Sequence, residues 1–161
     1  MPNTASFSAY SVDDLNDSVK NIKPFSPTMG IVFASPALGI PTLAETAASW
    51  GFPVFGCSTA GEILKGNKGS LILEQSAVCF VSDPDSSLFS ISLFEKNNES
   101  SFNFGRIIGA WGKKTFDAPA FIIAISGLTN DGEAIIRGIE SVSPPGTLIY
   151  GGVAGDDAHF Q

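Results

Sequence analysis

The feature that most constrains how this chain can fold is a pattern it carries twice. The first copy is Val54-Phe55-Gly56-Cys57-Ser58-Thr59-Ala60-Gly61-Glu62, and the second is Ile149-Tyr150-Gly151-Gly152-Val153-Ala154-Gly155-Asp156-Asp157. Each is a short apolar run that breaks at glycine and reaches a carboxylate through a further glycine. Glycine permits positive φ and close backbone approach, so a strand entering such a stretch can present amide N–H groups at its end. The rim of a small-ligand site is built this way, and so is a tight structural turn.

Helical and strand signals alternate around the two corners. Val12, Leu15, Val19 and Ile22 recur at helical spacing behind Ser11, an N-cap with Asp13 and Asp14 in the first turn, and this helix ends before Pro24. Gly30 to Ser35 reads as a buried strand stopped by Pro36. Thr42-Leu43-Ala44-Glu45 has the form of a capping box, predicting a helix to about Trp50. Gly51 closes it, and Pro53 to Gly56 is the next strand.

Lys65-Gly66-Asn67-Lys68-Gly69 is a turn by composition. Ala77 to Val81 is continuously apolar, while Phe89, Ile91 and Leu93 alternate with Ser90 and Ser92. These predict two strands, and the short link Ser82 to Ser86 predicts that they pair antiparallel. Phe104, Ile107, Ile108 and Trp111 form a helical stripe. Ala120 to Ile125 is an apolar strand, followed by Asn130 as N-cap and Glu133 at the capping-box position of a helix with Ile135, Ile136 and Ile139 inward. Pro144-Pro145-Gly146 ends that helix, and Thr147 to Tyr150 is the last strand.

This order predicts an α/β fold, a mixed β-sheet flanked by α-helices, whose two halves echo each other as an internal pseudo-repeat. With 161 residues, 43% of them hydrophobic and 16% charged, the chain can bury a real core, and we expect a single domain over residues 1–161. The net charge of −7 and nine scattered Lys and Arg argue against a nucleic-acid partner or an anionic membrane surface. Two cysteines are too few for a disulfide framework, and they would pair only if the fold brought them together. No apolar run approaches the roughly 20 residues of a membrane span. The first ten residues lack the features of a signal peptide. Together these predict a cytoplasmic location.

The candidate ligand-binding residues are Cys57, Ser58, Thr59, Gly61 and Glu62 at the first corner, with Gly152, Gly155, Asp156 and Asp157 at the second. Ser58 and Thr59 can bond a ligand carboxylate or cap a turn, and Glu62 can hold an amino group or pair with Lys65. Asp156 and Asp157 suit a cation or ammonium group as well as a solvated turn. Asn130 and Asp131 read as helix caps rather than ligands. Cys57 sits where backbone N–H groups can activate a nucleophile or serve as an oxyanion hole, so a cysteine-dependent acyl-transfer or hydrolytic enzyme is the alternative. That enzyme needs a base, and the single histidine, His159, lies near the last residue. A pair of histidines for a metal hydrolase is absent, as are the glycine-rich phosphate-binding motifs.

Gly56-Cys57-Ser58-Thr59-Ala60-Gly61-Glu62, with Gly151-Gly152-Val153-Ala154-Gly155-Asp156-Asp157 and the strand end Phe33-Ala34-Ser35-Pro36, resembles the N-terminal FIST domain of bacterial signalling proteins. The resemblance covers about residues 30–157. It implies a sensory module that binds a small ligand, possibly an amino acid, and works with a histidine kinase, a chemotaxis receptor or a cyclic-dinucleotide enzyme. Such domains normally continue into a C-terminal FIST domain, which we expect to be missing here. Some relatives bind haem. Axial ligation here would fall to His159, Cys57, Cys79, a Met or a Tyr, and no helix surrounds His159 to hold its ring, so no cofactor is expected.

Overall fold

The computed structural model describes residues 1–60, 62–66, 69–73, 75–126 and 130–155, with segments 62–66 and 69–73 described by their backbone alone. The chain divides into two compact units, Met1–Ile91 with Gly155–Gln161, and Ser92–Ala154.

The first unit runs β1 (Thr4–Ala9), α1 (Val12–Lys20), β2 (Met29–Ala34), α2 (Ile40–Ala48), β3 (Val54–Ser58), β4 (Glu62–Gly66), β5 (Gly69–Leu73) and β6 (Ala77–Ser82). Its main sheet has the order β1-β6-β2-β3, with β2 and β3 parallel and β6 antiparallel to both β1 and β2. Helix α1 starts as its sequence dictates: the Ser11 hydroxyl accepts from the Asp14 N–H at 3.1 Å, and the two first-turn aspartates face the positive helix end. Its buried Leu15 and Val19 join Leu43 of α2 against Val32, Ala34, Ala77, Cys79 and Val81 of the sheet. Each buried leucine or valine among them contributes about 1.5–3 kcal/mol.

Two expectations for this unit change. Helix α2 begins at Ile40, ahead of the capping-box motif, with Gly39 as its N-cap at φ 76° and no side-chain cap. Pro41 explains the early start, since a proline in the first turn forfeits an N–H that has no intrahelical partner there. Phe89 to Leu93 is not a strand. Its expected partner β6 already has β1 along one edge and β2 along the other, so no ladder is left for it. The Lys65–Gly69 turn is flanked by β4 and β5, an antiparallel ribbon with Gly66 opposite Gly69; Asn67 and Lys68 lie outside the described residues.

The second unit contains α3 (Ser101–Thr115), β7 (Phe121–Ser126), α4 (Gly132–Glu140) and β8 (Ile149–Ala154), with β7 and β8 parallel. Phe104, Phe121, Ile135 and Ile139 form its core. The inward face of α3 is rotated from the expected stripe: Phe104 is buried with Gly105, Gly109 and Gly112, while Ile107 is 45% exposed. On α4, Gly138 is buried beside Ile135 and Ile139, and Ile136 is 37% exposed. A methyl at Gly105 would strike the Ile135 carbonyl, and one at Gly138 would strike the Phe102 carbonyl. The helices therefore meet backbone to backbone, and this contact offsets the roughly 1 kcal/mol that each helical glycine costs. The N-cap of α4 is Asp131, not Asn130; its carboxylate accepts from the Ala134 N–H at 3.1 Å, while the Asn130 amide donates to the Ser126 carbonyl at 3.1 Å.

Both strands that enter the glycine patterns pass through their first glycine instead of breaking there. Gly56 lies opposite Val32 and Gly151 opposite Ile123, and at each a methyl would strike the partner's carbonyl oxygen. The glycine is required because the parallel neighbour lies too close for a side chain.

Candidate ligand site at the carboxyl end of the first sheet

In open α/β sheets, ligands sit outside the carboxyl ends of parallel strands. In the first unit those ends are Ala34 of β2 and Ser58 of β3. Four backbone features close around them. The Thr59 N–H donates to the Ala34 carbonyl at 3.0 Å, carrying the ladder one step past the end of β3. The Ser35 N–H donates to the Ser76 carbonyl at 2.9 Å, which ties in the residue preceding antiparallel β6. The Gly155 N–H donates to the Ser58 carbonyl at 3.0 Å. Finally, β2 leads through the 3₁₀ turn Pro36–Leu38 into the amino end of α2.

The result is a rim of small polar residues: Ser35, Ser58, Thr59, Ser76 and Gly155. Ser35 is 1% exposed, its N–H is used by Ser76, and its hydroxyl accepts from the Ala37 N–H at 3.3 Å. Gly155 is packed so closely that a methyl there would stand 2.7 Å from the Ala60 nitrogen. The amino end of α2 carries the partial positive charge of the helix dipole, and Gly39 caps it with no side-chain hydrogen bond. Hydroxyls and a helix amino end can hold a carboxylate without a basic side chain; the Ser35, Thr59 and Gly155 N–H groups are spent on carbonyls and Ser35 and Ser76 are buried, so the rim presents the half-buried Ser58 and Thr59 and the amino end of α2.

Of the expected site residues, Ser58, Thr59 and Gly155 are brought together. Cys57 lies inside β3, opposite Phe33, on the other face of the strand from its neighbour Ser58. Glu62 opens β4, its backbone opposite Leu73, but its side chain is outside the description. Gly152 sits in β8 of the second unit, opposite Ala124. Gly61, Asp156, Asp157 and His159 lie outside the described residues. The sequence reading missed Ser76 and the role of Ser35. A serine between an apolar strand and a proline was a usable signal for Ser35; nothing local marks Ser76, which joins the rim only because β6 runs antiparallel to β2.

Partial burial pushes the Cys57 thiol above its ordinary value. Burial pushes the Cys79 thiol up to about 12. The two are free thiols held apart by an intervening strand: Cys57 is in register with Phe33 of β2, and Cys79 with Val32. Two strand spacings are about 9.5 Å, beyond the roughly 7 Å that a disulfide spans between Cα atoms. Among the described residues no group of His, Cys, Asp and Glu could hold a metal ion. A groove of about 340 Å³ lined by Val19, Ile22, Phe25, Trp50 and Phe52 lies beyond the amino ends of β2 and β3. It is therefore a strand length, roughly 17 Å, from the rim.

The fold and rim define a class: an α/β domain with a small polar rim at the carboxyl ends of the parallel strands β2 and β3, and no group of metal-ligating side chains among the described residues. The chain belongs to the FIST N domain family, whose model matches residues 28–161, and this is a family of sensory domains in signal transduction. The match begins just ahead of β2. Comparison with curated proteins and with solved structures found no match. Among the described residues no helix is long and apolar enough to cross a membrane.

Proposed function

We propose that this chain is the ligand-binding part of a bacterial cytoplasmic signalling protein and that its ligand is a small zwitterion, a free amino acid. The observation that carries this is the convergence of the half-buried Ser58 and Thr59 with the amino end of α2 beyond the carboxyl ends of β2 and β3. These groups suit the ligand carboxylate. Glu62, with Asp156 and Asp157, supplies the opposite charge for the ammonium group. The ligand state is passed to a C-terminal FIST domain and from there to a histidine kinase, a chemotaxis receptor or a cyclic-dinucleotide enzyme. No cofactor, nucleic acid or membrane enters this scheme. The cysteine enzyme is disfavoured because burial raises the Cys57 thiol and so works against its activation.

A thermal-shift screen of the standard amino acids tests the proposal. The matching ligand at a hundredfold excess over Kd stabilises the fold by about 2.7 kcal/mol, and Glu62→Ala abolishes that shift while leaving the unliganded melting point in place. If no amino acid stabilises the protein, the ligand assignment fails. Labelling of Cys57 by iodoacetamide near neutral pH faster than an ordinary free thiol would instead favour the enzyme.

A further inference from the structure

The groove of about 340 Å³ beyond the amino ends of β2 and β3 belongs wholly to the first unit. It forms where the carboxyl ends of α1 and α2 give way to the strands, and its walls are aromatic and held in place. Gly51 turns the chain left-handed at φ 82° behind α2, and the rings of Trp50 and Phe52 on either side of it stand with centroids 6.0 Å apart, tilted by 37°. The Trp50 indole N–H donates to the Asn16 side-chain oxygen of α1 at 3.1 Å, which fixes the plane of the ring. Phe52 lies over the start of β2, where a methyl on Gly30 would stand 3.1 Å from its ring. Phe25 and Ile22 extend the apolar lining. Ligand pockets begin at about this volume, and flat aromatic walls take a planar apolar body.

The polar groups at the groove decide the charge of what it takes. Lys20, in the last turn of α1, is the one charged residue in the lining, and among the described residues its ammonium makes no hydrogen bond or ion pair. The Ser26 hydroxyl is likewise without a partner among the described residues and is free to donate. Helix carboxyl ends carry about half a negative charge each and by themselves favour a cation. Here the protein already answers them: the Asn21 side-chain amide donates to the Asp17 carbonyl at 2.8 Å, and the Ser49 hydroxyl donates to the Thr46 carbonyl at 2.7 Å. The backbone N–H groups of Asn21 and Ser49 are spent on the same last turns. What remains is a full positive charge and a hydroxyl donor beside an aromatic slot, and a carboxylate accepts from both.

We propose that this groove binds a small aromatic carboxylate, its ring against Trp50, Phe52 and Phe25 and its carboxylate on the Lys20 ammonium and the Ser26 hydroxyl. It is a second ligand site, a strand length from the rim, and it does not depend on what the rim holds.

The test is a heteronuclear NMR titration of this chain with three probes that share one ring: indoleacetate, tryptophol and tryptamine, which are anionic, neutral and cationic. Indoleacetate shifts the indole N–H signal of Trp50 saturably and leaves that of Trp111, which belongs to the second unit, in place. It binds roughly fivefold more tightly than tryptophol, the upper range for an exposed ion pair, and tryptamine binds more weakly than either. Lys20→Gln removes the advantage over tryptophol, and Lys20→Glu makes tryptamine the tightest of the three. Lys20 is exposed, so neither variant removes a packed side chain. Lys113→Gln on α3 leaves all three affinities unchanged. The proposal is overturned if millimolar indoleacetate gives no saturable shift at Trp50, or if the three probes bind the native chain equally. Tightest binding of tryptamine to the native chain also overturns it, since the helix carboxyl ends alone would select that probe. So does an advantage of indoleacetate that survives Lys20→Gln.

Discussion

Substituting Gly138 by alanine tests the packing of the second unit most sharply. A methyl at Gly138 would strike the Phe102 carbonyl oxygen and stand 2.9 Å from the Gly105 Cα and 3.0 Å from the Arg106 nitrogen. All three are backbone atoms of the first turns of α3, so no side chain can rotate away. Carbon atoms pack at about 3.5–4.0 Å, so α3 and α4 must separate by roughly 1 Å and loosen the contacts of Ile135 and Ile139. Overpacking of this kind costs about 1–3 kcal/mol, and a rigid neighbour places this case at the upper end. Alanine's better helix propensity returns about 1 kcal/mol. The expected net loss is about 2 kcal/mol, read from urea unfolding followed by far-UV circular dichroism. Gly132→Ala is the control: its methyl meets only the Ile125 Cδ1 at 3.8 Å and the Val153 Cγ2 at 4.0 Å, and the backbone is not left-handed there. It should stabilise by about 0.5–1 kcal/mol. If Gly138→Ala is as stable as the native chain, the backbone contact between the helices is refuted.

Two further predictions concern a cap and a buried thiol. Asp131→Ala removes the carboxylate that accepts from the Ala134 N–H and should cost about 1 kcal/mol in the same unfolding assay. The folded Cys79 thiol is pushed up to about 12 from 9.0, so it is protonated in both states below pH 9. Above that the unfolded chain loses its proton first, and stability falls by up to about 1.4 kcal/mol per pH unit until the folded thiol ionises. Urea unfolding at pH 8 and pH 10 should show a smaller loss for Cys79→Val than for the native chain, and equal losses would contradict a buried, protonated thiol.

Features that depend on a few consecutive residues were legible in the sequence. Ser11, the two aspartates behind it and the spacing of Leu15 and Val19 specify α1 through hydrogen bonds and burial within one or two turns. The apolar runs around Val32, Cys79 and Ile123 mark strands for the same reason. The errors arise where two elements compete or meet. Phe89 to Leu93 has as good a strand pattern as β1, but a strand exists only if a partner edge is open, and β6 has none left. The glycines of α3 look like helix weaknesses in one dimension, and only the approach of α4 makes them the contact face.

The candidate site divides in the same way. The sequence by itself determined that strands would arrive at glycine-bounded corners carrying Ser58, Thr59 and Gly155, because an apolar run followed by glycine and small polar residues is a strand giving way to a turn. Only the tertiary structure decided what gathers there. Ser76 reaches the rim because β6 runs antiparallel to β2, and Gly155 reaches it through a single hydrogen bond to Ser58 across nearly a hundred residues of chain. Cys57, prominent in the sequence, lies half-buried within its strand, on the face opposite Ser58, with its thiol pushed up. Local chemistry sets which residues can form a corner; which corners become neighbours depends on strand pairing over long sequence separations, which no local pattern encodes.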